Sequence, residues 1–269
     1  ELLAPEPPPP PPPATPVQAH ATPSAPVTTT TSAALPHKPP AKPRSRVRRA
    51  LSLFIKLAAC VTLLFATTLI AYRWVNPPTT TLIAWQTLTG TPVRQRWVPI
   101  ERISRPLIAA VVIAEDAKFC QHSGVDWVRL RAAYRDWQSG KDKGGASTIS
   151  MQVAKNLWLW PSRHAARKAI EVPLALAADQ VWPKRRMLEI YLNIVELGPG
   201  IFGVEAASRH YFGKRASQVN WREAALLAKA LPLPLRRNPA APSAWLSKQA
   251  GVVVRQRHLA GVTTRCAQR

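Results

Sequence analysis

The chain has 269 residues, 28 of them proline and only three cysteine, with a formal net charge of +23. Such a chain is too long and too poor in cysteine to be a disulfide-built miniature fold. So strong a basic balance points to a polyanionic partner, whether nucleic acid, anionic lipid or a phosphorylated substrate. The excess is not confined to one end, because from Pro77 onward 29 Lys and Arg still face 12 Asp and Glu.

Residues 1–50 carry a proline run at 7–13 and stay rich in Pro, Ala and Thr to about Pro43. A segment with so little to bury cannot offset its ordering entropy, and it reads as disordered or locally polyproline II. Lys38, Lys42, Arg44, Arg46, Arg48 and Arg49 then crowd in front of an apolar stretch at 51–72. Only Lys56 is charged within it, near the basic end, where it can snorkel to the headgroups. The length matches the roughly 20 residues a helix needs to cross a hydrocarbon core. We read an uncleaved transmembrane helix. A cleavable signal peptide is the alternative, disfavoured by the length of the run and the lack of an A-x-A-like site. Lys and Arg resist translocation, so the N-terminus is expected in the cytoplasm and everything after Tyr72 on the far side.

A connector at 73–81 leads to a folded part at 82–240, with a tail at 241–269. The expected class is mainly α. Pro106 stands at a first helical position ahead of the apolar run that ends at Glu115. Apolar residues recur at three- and four-residue intervals from Thr148 to Trp160, and again over 167–181. Residues 184–197 read as an amphipathic helix through Met187, Leu188, Tyr191, Leu192 and Val195. A further helix covers 221–231 and stops before Pro232. Cys60 lies in the apolar stretch, and Cys120 and Cys266 leave room for one disulfide, although two free thiols are the favoured reading.

With acidic residues this scarce, their positions carry weight. Glu115 and Asp116 directly follow a buried-looking helix, where a partly desolvated carboxylate can serve as a general base. A solvated helix end is the bland alternative. Gly144 and Gly145, then Ala146, Ser147 and Thr148, form a turn into a helix whose backbone N–H groups suit an anion or a sugar. Gln152, Lys155 and Asn156 follow, and Arg163, Arg167 and Lys168 concentrate positive charge ahead of a second isolated acid, Glu171. The set suits a phosphate-bearing substrate that needs an acid or base beside it. Gly198, Gly200 and Gly203 spell G-x-G-x-x-G, but they follow a helical pattern rather than a strand and are read as a turn between helices. Glu189, Tyr191 and Asn193 read as fold support. His122 reads equally as a structural or a substrate-binding histidine, and Trp158, Trp160 and Trp182 as core or membrane-proximal anchors.

Five stretches together resemble the ordered motifs of glycosyltransferase family 51: E-D-x-x-F-x-x-H-x-G at 115–124, G-A-S-T-I-S-x-Q-x-A-K-N at 145–156, R-K-x-x-E at 167–171, L-E-x-Y-L-N at 188–193 and the glycine-rich 198–214. The resemblance ends near Pro234. It implies a lysozyme-like helical domain, anchored in the bacterial inner membrane with the domain in the periplasm, that polymerises lipid II and releases undecaprenyl pyrophosphate. It further implies that Glu115 is the general base and Glu171 the second catalytic carboxylate. Lys155 and Arg163 would bind pyrophosphate, Ser147, Gln152, Asn156 and Asp116 would line the substrate pocket, and Arg167 and Lys168 would complete the R-K pair. The family carries a second Gln where this chain has Met151, and a thioether cannot donate an amide's hydrogen bonds. No cofactor is required, although Mg²⁺ or Mn²⁺ could bridge the pyrophosphate. The expected partners are lipid II, the growing glycan strand, the membrane, and a transpeptidase or cell-division protein, with no nucleic acid. No S-x-x-K or K-T-G element marks a transpeptidase in the chain itself. Rival readings are a lysozyme-like glycan-cleaving enzyme and a basic membrane-tethered binding protein.

Overall fold

The computed structural model describes residues 44–141, 145–162 and 164–267; the Pro-rich segment, Gly144 and Arg163 lie outside the described residues. Helix α1, Arg44–Ala71, is a single run whose 46–71 portion is long and apolar enough to cross a membrane. Most of its apolar side chains, Leu53, Phe54, Leu57 and Leu63 among them, are exposed. That is unlike a soluble core helix, which would bury them.

The end of α1 is fastened to the rest of the fold. Leu69 is buried, the Phe65 ring meets that of Trp158 edge-on at 4.9 Å, and Trp158 Nε1 donates to Thr68 Oγ1 at 3.1 Å. Trp182 Nε1 donates to the Leu69 carbonyl at 2.7 Å. Arg186 donates to the carbonyls of Tyr72 and Val75 and to Asn76 Oδ1. Trp158 and Trp182 therefore join the helix exit to the domain, whereas Trp160 is half-exposed.

Helices α2 (Thr81–Leu88), α3 (Arg105–Glu115), α4 (Trp127–Gln138) and α5 (Ile149–Trp158) each begin at a side-chain cap, from Thr80, Ser104, Asp126 and Thr148 in turn. Such a cap is worth about 0.5–2 kcal/mol. They are followed by α6 (Ala165–Val181), α7 (Lys184–Ile194), α8 (Val204–Phe212), α9 (Trp221–Ala230) and α10 (Ala244–Arg255). Leu107, Ala110, Val111 and Val112 of α3 are fully buried, so this helix is enclosed all round and packs on α9, α10 and the C-terminal turns. On the other side of the site, α5 packs against α6 and α7.

Three differences from the sequence reading have physical causes. The helix expected to reach 197 stops at Ile194, and β2 (Glu196–Gly198) pairs antiparallel with β3 (Ile201–Phe202), which pairs parallel with β1 (Arg94–Gln95). The turn read between two helices is thus a small hairpin. Its Gly203 has φ +79, and a Cβ there would come within 2.6 Å of the Asn193 carbonyl. The segment set apart as a tail from 241 holds α10, whose Leu246, Ala250 and Val253 lie in the core. Finally, Cys120 and Cys266 are joined in a disulfide, contrary to the two free thiols favoured from sequence. Two cysteines separated by 146 residues give no local sign of meeting; only the packing of the C-terminal turns beside α3 brings them together.

Candidate active site

Glu115 is the last residue of α3 and is half-buried. Its Oε2 accepts from Gln152 Nε2 at 2.9 Å, and Gln152 Oε1 accepts from Tyr191 Oη at 3.0 Å. One turn of α5 and one of α7 thus hold the carboxylate through two neutral groups. Burial pushes its pKa up, opposed by the Gln152 hydrogen bond and by the positive charges of Lys229 and Lys155. Burial, reinforced by the charges of Glu115 and Asp116, drives the Tyr191 phenol well up, so it stays a donor.

The next residue does something different. Asp116 is almost wholly buried; its Oδ2 accepts from Ile149 N at 3.0 Å, and both oxygens lie 3.0–3.1 Å from His122 Nε2. The N-terminus of α5, which the sequence offered to an anion, is therefore occupied from within by Asp116 and by the Thr148 hydroxyl, which accepts from Met151 N. Thr148 Oγ1 also donates to the Gly124 carbonyl at 2.6 Å. Gly124 has φ +79, and a Cβ there would reach within 2.9 Å of the Ala175 carbonyl, so the loop presses directly on α6. Lys184 completes the closure: its Nζ donates to the His122 carbonyl and to Asp179, and sits 4.6 Å from the Phe119 ring centroid.

Glu171, on α6, is buried and paired with Arg167 one turn earlier. Arg167 also donates to the Ser162 carbonyl at 2.7 Å, which fixes its guanidinium. Burial raises the Glu171 pKa, opposed by Arg167, Lys155 and Lys168. Burial lowers that of Lys155; Glu171 and Glu115 both oppose this, while Arg167 adds to it. Lys155 thus feels both carboxylates. An ammonium partly shielded from water can stabilise negative charge better than one in bulk solvent.

A family model described as transglycosylase matches residues 82–258.

The chain belongs to the transglycosylase family.

Relatives that carry the name biosynthetic peptidoglycan transglycosylase include three from different bacteria. The protein of Rhodospirillum centenum is 44% identical over 213 residues, covering 79% of this chain and 92% of its own length. That of Nitrobacter winogradskyi is 49% identical over 181 residues, 67% of this chain and 80% of the relative. That of Brucella suis is 43% identical over 225 residues, 83% and 99% respectively. The family match passes Pro234, near which the ordered motifs end, and takes in α10.

Within this transglycosylase domain, Glu115, Gln152, Lys155, Arg167 and Glu171 gather around one region. Lys168 Nζ reaches Ser147 Oγ at 3.2 Å, at its edge. Asn156 is buried, and its backbone carbonyl accepts from Thr81. Asp116 is built into the loop rather than open to a ligand. Met151 is not open to a ligand: it is fully buried with Val125, Ala154 and Ala175. The departure from the family's Gln therefore falls on a core position, where a Gln would cost stability rather than supply a pocket donor. Asn193 supports the fold as expected, exchanging hydrogen bonds with the backbone of Val98 on both sides. Tyr191, read as fold support, is instead the far end of the chain that holds Glu115.

Two cations escaped the sequence reading. Lys229 on α9 and Arg237 after it both act on the Glu115 charge. Arg237 is held by a hydrogen bond to the Lys229 carbonyl at 2.7 Å and lies 4.4 Å over the Trp245 ring. Their only sequence signal is a lysine in the last turn of α9 and the basic pair Arg236–Arg237 after it, at the edge of the family motifs. Among the described residues, no three His, Cys, Asp or Glu cluster as metal ligands.

Proposed function

We propose that this chain is a monofunctional peptidoglycan glycosyltransferase that joins lipid II units into β-1,4-linked glycan strands and releases undecaprenyl pyrophosphate. The observation that carries the reading is Lys155, a half-buried cation acted on by Glu115, which neutral Gln152 holds, and by the buried Glu171, which is paired with Arg167. In this reading Glu115 takes the proton from the 4-hydroxyl of the acceptor GlcNAc. The freed oxygen electron pair attacks C1 of MurNAc at the reducing end of the donor strand, and the bond from C1 to the phosphate oxygen breaks. The anomeric configuration inverts, and the electron pair leaves on the pyrophosphate.

Lys155 and Arg163 meet the charge that develops on that leaving group. Glu171, held by Arg167, keeps the basic cluster in place and orients the substrate, while Ser147, Gln152, Asn156 and Lys168 supply polar contacts to sugar and phosphate. A divalent cation, where used, belongs to the substrate's phosphates.

The anchor belongs to the same reading. A lipid-linked substrate keeps its headgroup near the bilayer surface, and the clamp of Trp158, Trp182 and Arg186 on the end of α1 holds the site at a set height there. The basic residues before 51 favour a cytoplasmic N-terminus, and a disulfide suits a domain on the oxidising, periplasmic side. Protease added to spheroplasts should then digest the domain; full protection would reverse the topology. Cross-linking of the strands falls to a separate transpeptidase partner.

A glycan-cleaving enzyme is the second reading, and the cations around Glu171 speak against it, because a neutral glycosidic bond offers them no phosphate. Detergent-solubilised protein incubated with purified lipid II decides between the two. Polymer is the expected product. Cleavage of finished peptidoglycan with no polymer would hand the site to the second reading.

A further inference from the structure

A concave site elsewhere in the domain shares none of its lining residues with Glu115, Glu171 or the groups that hold them. It is a surface pocket of about 540 Å³ between the 96–102 segment and the region from α8 to 217, lined by Arg96, Trp97, Arg102, Glu205, Arg209 and Arg215, among others. Its volume falls in the range of small-ligand sites, about 300–1,000 Å³. Two carboxylates share the lining, but both are spoken for. Glu205 is buried and accepts from Arg209 Nε at 2.6 Å and from Ala216 N at 2.7 Å. Glu101 is paired with Arg185, which is itself tied to the Ala267 carbonyl. Among the described residues, Arg96, Arg102 and Arg215 have no carboxylate partner, and all three are exposed.

The pocket's position narrows what it can bind. Its Trp97 ring lies 5.6 Å from the guanidinium of Arg186. Arg186 is the residue that grips Tyr72, Val75 and Asn76 where α1 ends. One side chain therefore separates the pocket wall from the end of the apolar helix. A guanidinium's planar fork of N–H donors matches phosphate oxygens in a way that an ammonium does not. A tryptophan at the membrane interface suits the boundary between headgroup and acyl chain.

We propose that this pocket binds the phosphodiester headgroup of an anionic membrane lipid, through Arg96, Arg102 and Arg215. The inference rests on the reading of α1 as a membrane anchor. Its effect is to fix the rotation of the domain over the bilayer as well as its height, since the helix alone is a single pivot.

The test uses the full chain in a neutral detergent, with native mass spectrometry counting bound lipid and a thermal melt reporting stabilisation. The probes are dihexanoyl-phosphatidylglycerol, dihexanoyl-phosphatidylcholine and inorganic phosphate. The expected result is one saturable phosphatidylglycerol per chain, weaker binding of phosphatidylcholine, and partial displacement by phosphate at much higher concentration. Each charged hydrogen bond is worth about 1.5–3 kcal/mol, so R102Q/R215Q should weaken the phosphatidylglycerol site by about tenfold or more. Its lipid-free melting temperature and its turnover in detergent should be unchanged. R96Q gives an independent second variant.

Equal phosphatidylglycerol binding by wild type and both variants would overturn the assignment of the pocket. Phosphate binding as tightly as the lipid would overturn the lipid as its source and leave a free-anion site. Short-chain lipid reaches the pocket whether or not α1 lies in a bilayer, so failure here is distinct from failure of the anchor, which alkaline carbonate extraction of membranes tests separately.

Discussion

Glu115 and Glu171 are two carboxylates in one site, both pushed up by burial, yet their neighbours differ in kind. Glu115 is held by the amide of Gln152, itself held by the Tyr191 hydroxyl, and the cations that act on it do so without an ion pair. Glu171 is in direct contact with the Arg167 guanidinium. A carboxylate bonded to a neutral donor can accept a proton at modest cost. One locked to a guanidinium gives up a charged pair if it is protonated. The pair thus separates into a group suited to moving a proton and a group suited to holding charge and geometry.

That separation can be broken or sharpened experimentally. Glu115→Gln should have the largest effect, a loss of about 10²–10⁴-fold in glycan polymerisation, the usual contribution of a positioned base. Its stability should move the other way. A carboxyl whose folded pKa is raised favours the folded state at low pH and opposes it as pH climbs past the unfolded value. The Gln variant escapes that cost and can still meet Gln152, so its melting temperature at neutral pH should hold or rise. Normal polymerisation by this variant would remove Glu115 from the role of base.

Glu171→Gln should cost less, about ten- to a hundredfold, because the lost interaction is a charged hydrogen bond worth about 1.5–3 kcal/mol. The loss should weigh on KM as much as on kcat, measured with lipid II as the varied substrate. A loss in kcat alone, as deep as that of the Glu115 variant, would erase the distinction between the two acids. The pH profile gives a finer probe. With Glu115 raised by burial, the acid limb of kcat/KM should fall at higher pH than an ordinary glutamate would give. Gln152→Leu removes a hydrogen bond that favours the charged form and should carry that limb further up. A limb unmoved by Gln152→Leu would point to another titrating group.

Tyr191→Phe deletes only the far end of the chain. A neutral hydrogen bond nets about 0.5–1.5 kcal/mol, so turnover should fall about two- to tenfold. Met151→Gln touches neither acid and serves as the control. Burying an amide among Val125, Ala154 and Ala175 should destabilise the fold by about 1–3 kcal/mol while turnover per folded molecule is kept.

The legible part of this site was the part carried by local sequence. Helix ends with Ser, Thr or Asp caps, Pro106 at the start of α3 and the apolar stripes of α5, α7 and α9 all follow from short-range rules, and they placed Glu115 at a helix end. The residues that were misjudged are those whose meaning lies across the fold. Asp116 and Met151 share motifs with Glu115 and Gln152 but point to the interior, because a side chain's direction on its helix or loop depends on which neighbour packs there. Lys229 and Arg237 act on the Glu115 charge from more than 100 residues further along the chain.

Amino-acid order alone therefore determined that the chain has an apolar helix long enough to span a membrane, a mainly helical domain after it, and a few acids set among many cations. These depend on hydropathy, helical period and charge, which are properties of neighbouring residues. Tertiary structure decided which carboxylate meets a neutral amide and which a guanidinium, that Cys120 meets Cys266, that 196–202 turns as a hairpin, and that Arg186 fastens the domain to the end of α1. Each of these brings together groups distant along the chain or sets which way a side chain faces, and only the packed core supplies that.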